Sequence, residues 1–267
     1  MLSNLHTHTT LCDGKNTPEE MVVAAIEQGF SSIGFSGHGY TAFDLSYCLK
    51  DMNAYIRTIR DLQERYRSKI EVYLGVEEDA AHPLPNRSEF EYIIGSSHYV
   101  RIDDSYYPVD SGADRLKQCI ERFDGDPLKL ADNYYRTFCE YILTRKPDII
   151  GHFDLITKYD ELDVSQFLPI PTYQKIAERY LKEALKSDCL FEVNTGAIGR
   201  GYRTSPYPSA ELLHVLKANG GKVTLSSDCH AADQLNCFFA EARAMLRDIG
   251  FEFVYTLSKG SFVKDYL

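Results

Sequence analysis

The chain has 267 residues, 44% hydrophobic and 25% charged, which is enough for one large folded unit and too apolar for a disordered one. Its 39 acidic residues against 29 basic ones leave a net charge of −10, so a nucleic-acid-binding surface is not expected, and an anionic ligand would need local positive charge of the kind metal ions supply. No apolar run reaches the length of a membrane span, MLSNLHTHTT has no signal-peptide character, and seven cysteines without C-x-x-C spacing fit free, mostly buried thiols in a reducing cytoplasm.

Residues 2–8 read as a short strand. Thr17-Pro18-Glu19-Glu20 then reads as a capping box with proline at the first helical position, opening a helix that runs to Gly29. Residues 31–36 form the next strand. Met52, Tyr55, Ile56, Ile59, Leu62 and Tyr66 recur at spacings of three and four, the signature of an amphipathic helix. Residues 70–76 and 91–97 are strands, and the following stretch, with Tyr106, Tyr107 and Asp110, reads as a loop. A helix over 128–145 precedes a short strand at 148–152. Ile176, Ala177, Tyr180, Leu181, Ala184 and Leu185 mark another helix. Strands at 189–194 and 222–227 flank a helix at 209–219, and a helix near 231–247 with a strand near 252–257 closes the order. Repeated strand-then-helix units predict an α/β fold with a parallel sheet: a single barrel domain over 1–267, with a doubly wound open sheet as the alternative.

The metal-competent residues stand where the apolar strands stop. His6 and His8 end the first, His38 the second, Glu77 the third, His98 the fourth, His152 the fifth, and Asp228 and His230 a later one. In a parallel barrel these strand ends open onto one face, so residues scattered in sequence converge in space. His6 and His8, two apart on a strand, leave the same face and can chelate one ion. Six of the eight histidines fall at such ends, His82 and His214 being the others, and packing needs do not produce that pattern. Imidazole and carboxylate donors suit Zn²⁺, Mn²⁺ or Fe²⁺. Strand alternation selects Glu77 over Glu78, which points the other way. Asp13, in Cys-Asp-Gly after the first strand, reads equally as a ligand or a turn residue. Cys12 and Cys229 sit beside proposed ligands, and packing is the favoured role for both. Tyr202 and Arg203 share a glycine-flanked loop that reads as solvent-facing, with Arg203 carried as a substrate contact.

His6-Thr7-His8, Gly-His-Gly around His38 with Glu77 after it, His98 with His152, and Asp228-Cys229-His230 resemble, in order, the four motifs of the polymerase-and-histidinol-phosphatase (PHP) superfamily. The length, Gly-Ser-Ser-His-Tyr before Tyr-Pro-Val-Asp, and Glu-Val-Asn-Thr-Gly-Ala-Ile-Gly-Arg resemble its histidinol-phosphate phosphatases. That resemblance implies a distorted (β/α)7 barrel with three divalent metal ions at the C-terminal ends of the strands. It implies His6, His8, Glu77 and Asp228 around the first ion, Glu77, His98 and His152 around the second, and Asp13, His38 and His230 around the third. It also implies phosphate contacts from Lys158, where some members carry Arg, and from Arg200. Asp228 or His230 would serve the leaving alcohol, and the choice between them stays open. Three such ions set against three carboxylates and a hydroxide leave a site near about +2, suited to a small-molecule phosphate monoester. The alternatives are a PHP-type phosphodiesterase, nucleotide phosphatase or protein-tyrosine phosphatase, and a non-catalytic PHP module. Neither nucleic acid nor membrane is an expected partner, and homo-oligomerisation is open.

Overall fold

Apolar runs and amphipathic stretches alternate along the chain, and they fold as successive strand–helix units. A computed structural model describes residues 1–162 and 166–267. In chain order it has β1 (Ser3–Asn4), α1 (Pro18–Glu27), β2 (Ser32–Phe35), α2 (Met52–Tyr66), β3 (Glu71–Asp79), β4 (Tyr92–Ser96), β5 (Tyr99–Ile102) and β6 (Ser105–Pro108). It continues with α3 (Ala113–Glu121), α4 (Pro127–Arg145), β7 (Ile149–Ile150), α5 (Pro171–Ala184), β8 (Leu190–Asn194), α6 (Gly196–Gly199) and α7 (Ala210–Ala218). The last elements are β9 (Val223–Ser226), α8 (Phe239–Ile249), β10 (Phe253–Ser258) and β11 (Ser261–Tyr266). The capping box at Thr17 and Glu20 is present, with Pro18 in the first turn and Gly29 at φ 78° just past the helix end.

The main sheet runs β1-β2-β3-β4-β7-β8-β9-β10-β11, and every pairing from β1 to β10 is parallel. The chain after β1 returns to the chain after β9 through a parallel bridge between Thr7 and Cys229, with His8 N donating to Cys229 O at 2.9 Å. The seven strands β1–β4 and β7–β9 thereby curl into a distorted barrel. The distortion is local: β9 is hydrogen-bonded to β10 at Thr224 and to the β1 chain only farther on, at Cys229.

Strand alternation sets what each face carries. Val72, Leu74 and Val76 of β3 pack outward on Met21, Val22, Tyr55, Ile59 and Leu62 of α1 and α2. Tyr73 points inward with Leu5, Tyr92, Ile94, Ile149 and Leu190. Tyr92 plugs the interior, its hydroxyl donating to Leu5 O. Gly34 and Gly75 make room for its ring, since a Cβ on either would lie 2.3 or 2.2 Å from Tyr92 atoms. Above this plug the inward positions turn polar, beginning with Glu77.

Three sequence expectations change. The stretch read as a loop contains the antiparallel hairpin β5–β6, turning at Asp103 with φ 54°; its runs are too short to show a period. The helix expected near 231–247 begins at Phe239, because Phe238 is left-handed at φ 57° and a single 3₁₀ turn occupies Ala232–Gln234. β11 was not anticipated: Lys259 (φ 50°) and Gly260 (φ 74°) make the two-residue turn that lays it antiparallel on β10. No helix among the described residues is long and apolar enough to cross a membrane.

Candidate metal centre

The inward carboxylate of Glu77, 1% exposed, sits at the centre of a histidine cluster. Its Oε2 lies 3.2 Å from His6 Nε2, 3.6 Å from His8 Nε2 and 2.9 Å from His38 Nδ1. Its Oε1 lies 2.9 Å from His152 Nε2 and 3.3 Å from His98 Nε2. Asp228 Oδ1 adds 3.1 Å to His8 Nε2 and 3.7 Å to His6 Nε2. Asp13 reaches His230 Nε2 at 3.3 Å and His38 Nε2 at 3.6 Å. Ligands about 2.0–2.2 Å from one ion stand roughly 3–4 Å apart, so the spacings suit shared cations.

The tautomers point the same way. His6 Nδ1 meets Glu192 Oε1 at 2.6 Å, and His98 Nδ1 meets Asp79 Oδ2 at 2.9 Å. A carboxylate on Nδ1 keeps a proton there, so Nε2, facing the cluster, is the nitrogen that ligates once the ring is neutral. His6 Nε2, His8 Nε2 and Glu77 Oε2 are fully buried and have no hydrogen-bond partner. Three buried polar atoms that converge without a hydrogen bond between them match the donor set of a cation, which would take the place of any proton held there. His152 (φ 29°) and Asp228 (φ 46°) both sit left-handed where the strands give way to loops, a strained conformation of the kind found at functional sites.

The electrostatics follow from this packing. Burial opposes charge on Glu77, but His6, His38 and His98 hold it well below the usual carboxylate range. Burial likewise opposes charge on Asp228, and Arg200, with His6, overcomes it. Asp13 is also lowered, with His230, His38 and His8 overcoming its burial. Burial works against a proton on His6 and His98, yet the facing carboxylates raise both well above an ordinary histidine. His8 is lowered to about 3 by burial and by the adjacent His230 and His38.

A cavity of ≈ 250 Å³ opens onto the cluster. Besides candidate ligands, its walls carry Asp44, Tyr47, Tyr99, Asp110, Lys158 and Arg200. Arg200 donates to Asp228 O at 2.7 Å and to Asp228 Oδ2 at 3.0 Å. Lys158 Nζ donates to Asp110.

All nine candidate ligands named from sequence thus meet in one place, with Lys158 and Arg200 on the cavity wall. Arg203 does not join them. It is neither solvent-facing nor on the cavity wall: it is 4% exposed, donating to Thr157 Oγ1 at 2.6 Å and lying over the Tyr207 ring. Its guanidinium anchors the loop after Arg200 to the chain after β7. Glu78 points outward, as alternation requires, to Tyr141 Oη and Arg145. Cys12 Sγ lies 3.7 Å from His8 Nδ1, and Cys229 is buried in packing. Tyr134 and Tyr135 are core residues, not cavity lining.

Sequence reasoning missed Glu192. It accepts from His6 Nδ1, from His152 N at 2.9 Å, from Asn194 Nδ2 at 2.9 Å and from Ser226 Oγ. The available signal was a lone carboxylate inside the apolar strand Leu-Phe-Glu-Val-Asn. Asp79, two residues beyond Glu77 on β3, plays the same part for His98.

Comparison with known proteins agrees with this geometry. The chain is 25% identical to a protein named "Probable histidinol-phosphatase" in Schizosaccharomyces pombe, over 97% of this chain and 89% of that protein. It is 28% identical to one of the same name in Deinococcus radiodurans, over 93% and 94%. It shares its fold with the histidinol phosphate phosphatase of Lactococcus lactis, a structure containing zinc, L-histidinol and phosphate, at TM-score 0.73 and 22% identity, covering 98% of this chain and 99% of that one. The PHP domain family profile matches residues 4–196, most of the chain, and the chain belongs to the PHP domain family.

Proposed function

We propose that the protein is a metal-dependent phosphomonoesterase that hydrolyses histidinol phosphate to histidinol and phosphate, a step of histidine biosynthesis, in the cytoplasm. The observation that carries the chemistry is the convergence of partnerless His6 Nε2, His8 Nε2 and Glu77 Oε2 beneath a cavity with two cationic side chains. The choice of substrate is supported by the names of the full-length relatives.

His6, His8, Glu77 and Asp228 would hold one divalent ion, Glu77, His98 and His152 a second, and Asp13, His38 and His230 a third. Zinc, manganese and iron all suit this donor set. When bound, the ions supply an activated water and offset charge on the phosphoryl oxygens. Lys158 and Arg200 bind the remaining phosphoryl oxygens from the cavity wall. Lysine supplies a point charge there, and Arg200 is aimed by its two bonds to Asp228.

Asp228 is held as an anion and is a poor proton donor to the leaving alkoxide. His230 keeps Nδ1 at 3.0 Å from the Asp228 carbonyl, leaving Nε2 at the cavity wall. That nitrogen can exchange a proton with the leaving oxygen or ligate the third ion, not both. Activity titrated against metal content separates the two: full activity at two ions per chain assigns it to proton transfer, at three to a ligand.

The test of the function is a turnover screen of the metal-loaded protein on histidinol phosphate, p-nitrophenyl phosphate and a bis-ester, with manganese or zinc supplied. Preference for histidinol phosphate is expected. Preference for the bis-ester would make it a phosphodiesterase, and no hydrolysis of any of them would make it a non-catalytic module.

A further inference from the structure

We propose that Asp110 binds the substrate's ammonium group, in exchange for the ion pair it makes with Lys158 in the free site. This rests on the reading of the protein as a histidinol-phosphate phosphatase. Outside the candidate ligands, the cavity wall carries four charged residues among the described ones: Asp44, Asp110, Lys158 and Arg200. Arg200 is engaged by Asp228. Asp44 already accepts from Ser46 N, Ser46 Oγ and Tyr99 Oη, at 2.9, 2.6 and 2.8 Å. Asp110 differs. Its carboxylate has one hydrogen-bond partner among the described residues, Lys158 Nζ at 3.2 Å.

The backbone holds this carboxylate in place. Lys158 Nζ and Tyr159 Oη both donate to Asp110 O, Gly112 N donates to Tyr159 Oη at 2.7 Å, and Val109 N donates to His98 O at 2.9 Å. Preorganisation of this kind makes a side chain a recognition element. Burial opposes its charge, but Lys158 and His98 keep Asp110 ionised.

Histidinol phosphate carries a phosphate and, two carbons along, a primary ammonium. When Lys158 turns to the phosphate, Asp110 loses its counterion in a site where its side chain is only 21% exposed. An unpaired carboxylate there is costly. A substrate that brings its own ammonium restores the pair, so both opposite charges of the free site find partners on one molecule. A phosphate ester without the amine leaves Lys158 divided between two anions.

The test compares the metal-loaded wild type, Asp110→Asn and Asp44→Asn on histidinol phosphate and on 3-(imidazol-4-yl)propyl phosphate, which lacks only the ammonium. Inorganic phosphate serves as a competitive inhibitor. The wild type and Asp44→Asn should prefer the amine-bearing ester in kcat/KM by roughly 10- to 100-fold, the value of a charge-assisted hydrogen bond. Asp110→Asn should bring the two esters within about threefold, with the inhibition constant of phosphate unchanged or lower because Lys158 is released. Equal loss on both esters with weaker phosphate inhibition would make Asp110 only a support for Lys158 and overturn the inference. So would a preference that disappears in Asp44→Asn, or a wild type indifferent to the amine, which needs no variant to fold. A wild type that hydrolyses neither ester would remove the proposed function, and this inference with it.

Discussion

Glu192→Gln changes one atom and preserves volume, yet it should disarm the metal centre. In the wild type Oε1 accepts from His6 Nδ1 and Ser226 Oγ, and Oε2 accepts from His152 N and Asn194 Nδ2. An amide has one acceptor, so two arrangements remain. If its oxygen keeps His6, its NH₂ faces the N–H of His152, a buried donor that then has no partner, at about 1–3 kcal/mol. If its NH₂ faces His6, Nδ1 must accept, the proton moves to Nε2, and the ring can no longer ligate. Either way the loss falls on a residue that holds a ligand without touching the ion, where 10- to 100-fold in metal affinity or activity is the usual cost. Competition with a graded chelator, alongside thermal unfolding of the metal-free protein, reads both quantities. A Glu192→Gln protein that binds metal and unfolds as the wild type does would refute the assignment of the His6 proton to Nδ1, and with it the role of Glu192 in holding that ligand.

Four further outcomes are expected. His8→Ala should lose metal and turnover together while far-UV circular dichroism of the metal-free protein stays unchanged; retained stoichiometry by elemental analysis would contradict the site. Metal binding near pH 7 should release about two protons, because His6 and His98 are raised above the ordinary value of about 6.5 and must be neutral to ligate. The stability these two imidazoles give the metal-free protein is present below that ordinary value and lost as pH rises through the raised one, so affinity should climb over the same window; calorimetry in buffers of different ionisation enthalpy counts the protons. Glu78→Ala should cost about 1–3 kcal/mol by leaving the buried Tyr141 hydroxyl and Leu84 N without an acceptor, while metal stoichiometry survives, whereas Glu77→Ala should abolish binding; denaturant melts with metal analysis distinguish the neighbours. Gly75→Val should cost more than about 3 kcal/mol or prevent folding, since its Cβ would lie 2.2 Å from the Tyr92 ring; a soluble variant with wild-type melting would show that the plug can move.

Which parts of this molecule were legible in the sequence follows from how each signal is encoded. The strand–helix alternation and the His-x-His, Gly-His-Gly and Asp-Cys-His strand ends are local patterns, and parallel topology carries them to one rim without further information. Glu77 against Glu78 was decidable because strand alternation is a rigid rule. Arg203 was misplaced because a glycine-flanked loop predicts exposure, while its burial depends on Thr157 and Tyr207, tens of residues from it or brought round by the fold. The β5–β6 and β10–β11 hairpins are too short or too weakly patterned to announce themselves before the chain is folded.

The deeper omission was the layer behind the ligands, and the reason is physical. A ligand shows in sequence because a polar residue at a strand end has no other explanation in quantity. Glu192 lies within a strand, where one carboxylate among apolar neighbours reads as noise until its partners are known. Those partners come from β1, β7, β8 and β9 regions: His6, the His152 backbone, Asn194 and Ser226. A buried carboxylate with four donors from four strands is a cross-brace of the barrel and the element that fixes the His6 tautomer at once. The constraint that positions the metal ligands therefore belongs to the closed sheet itself, and becomes visible only when β1 and β9 are joined at Thr7 and Cys229.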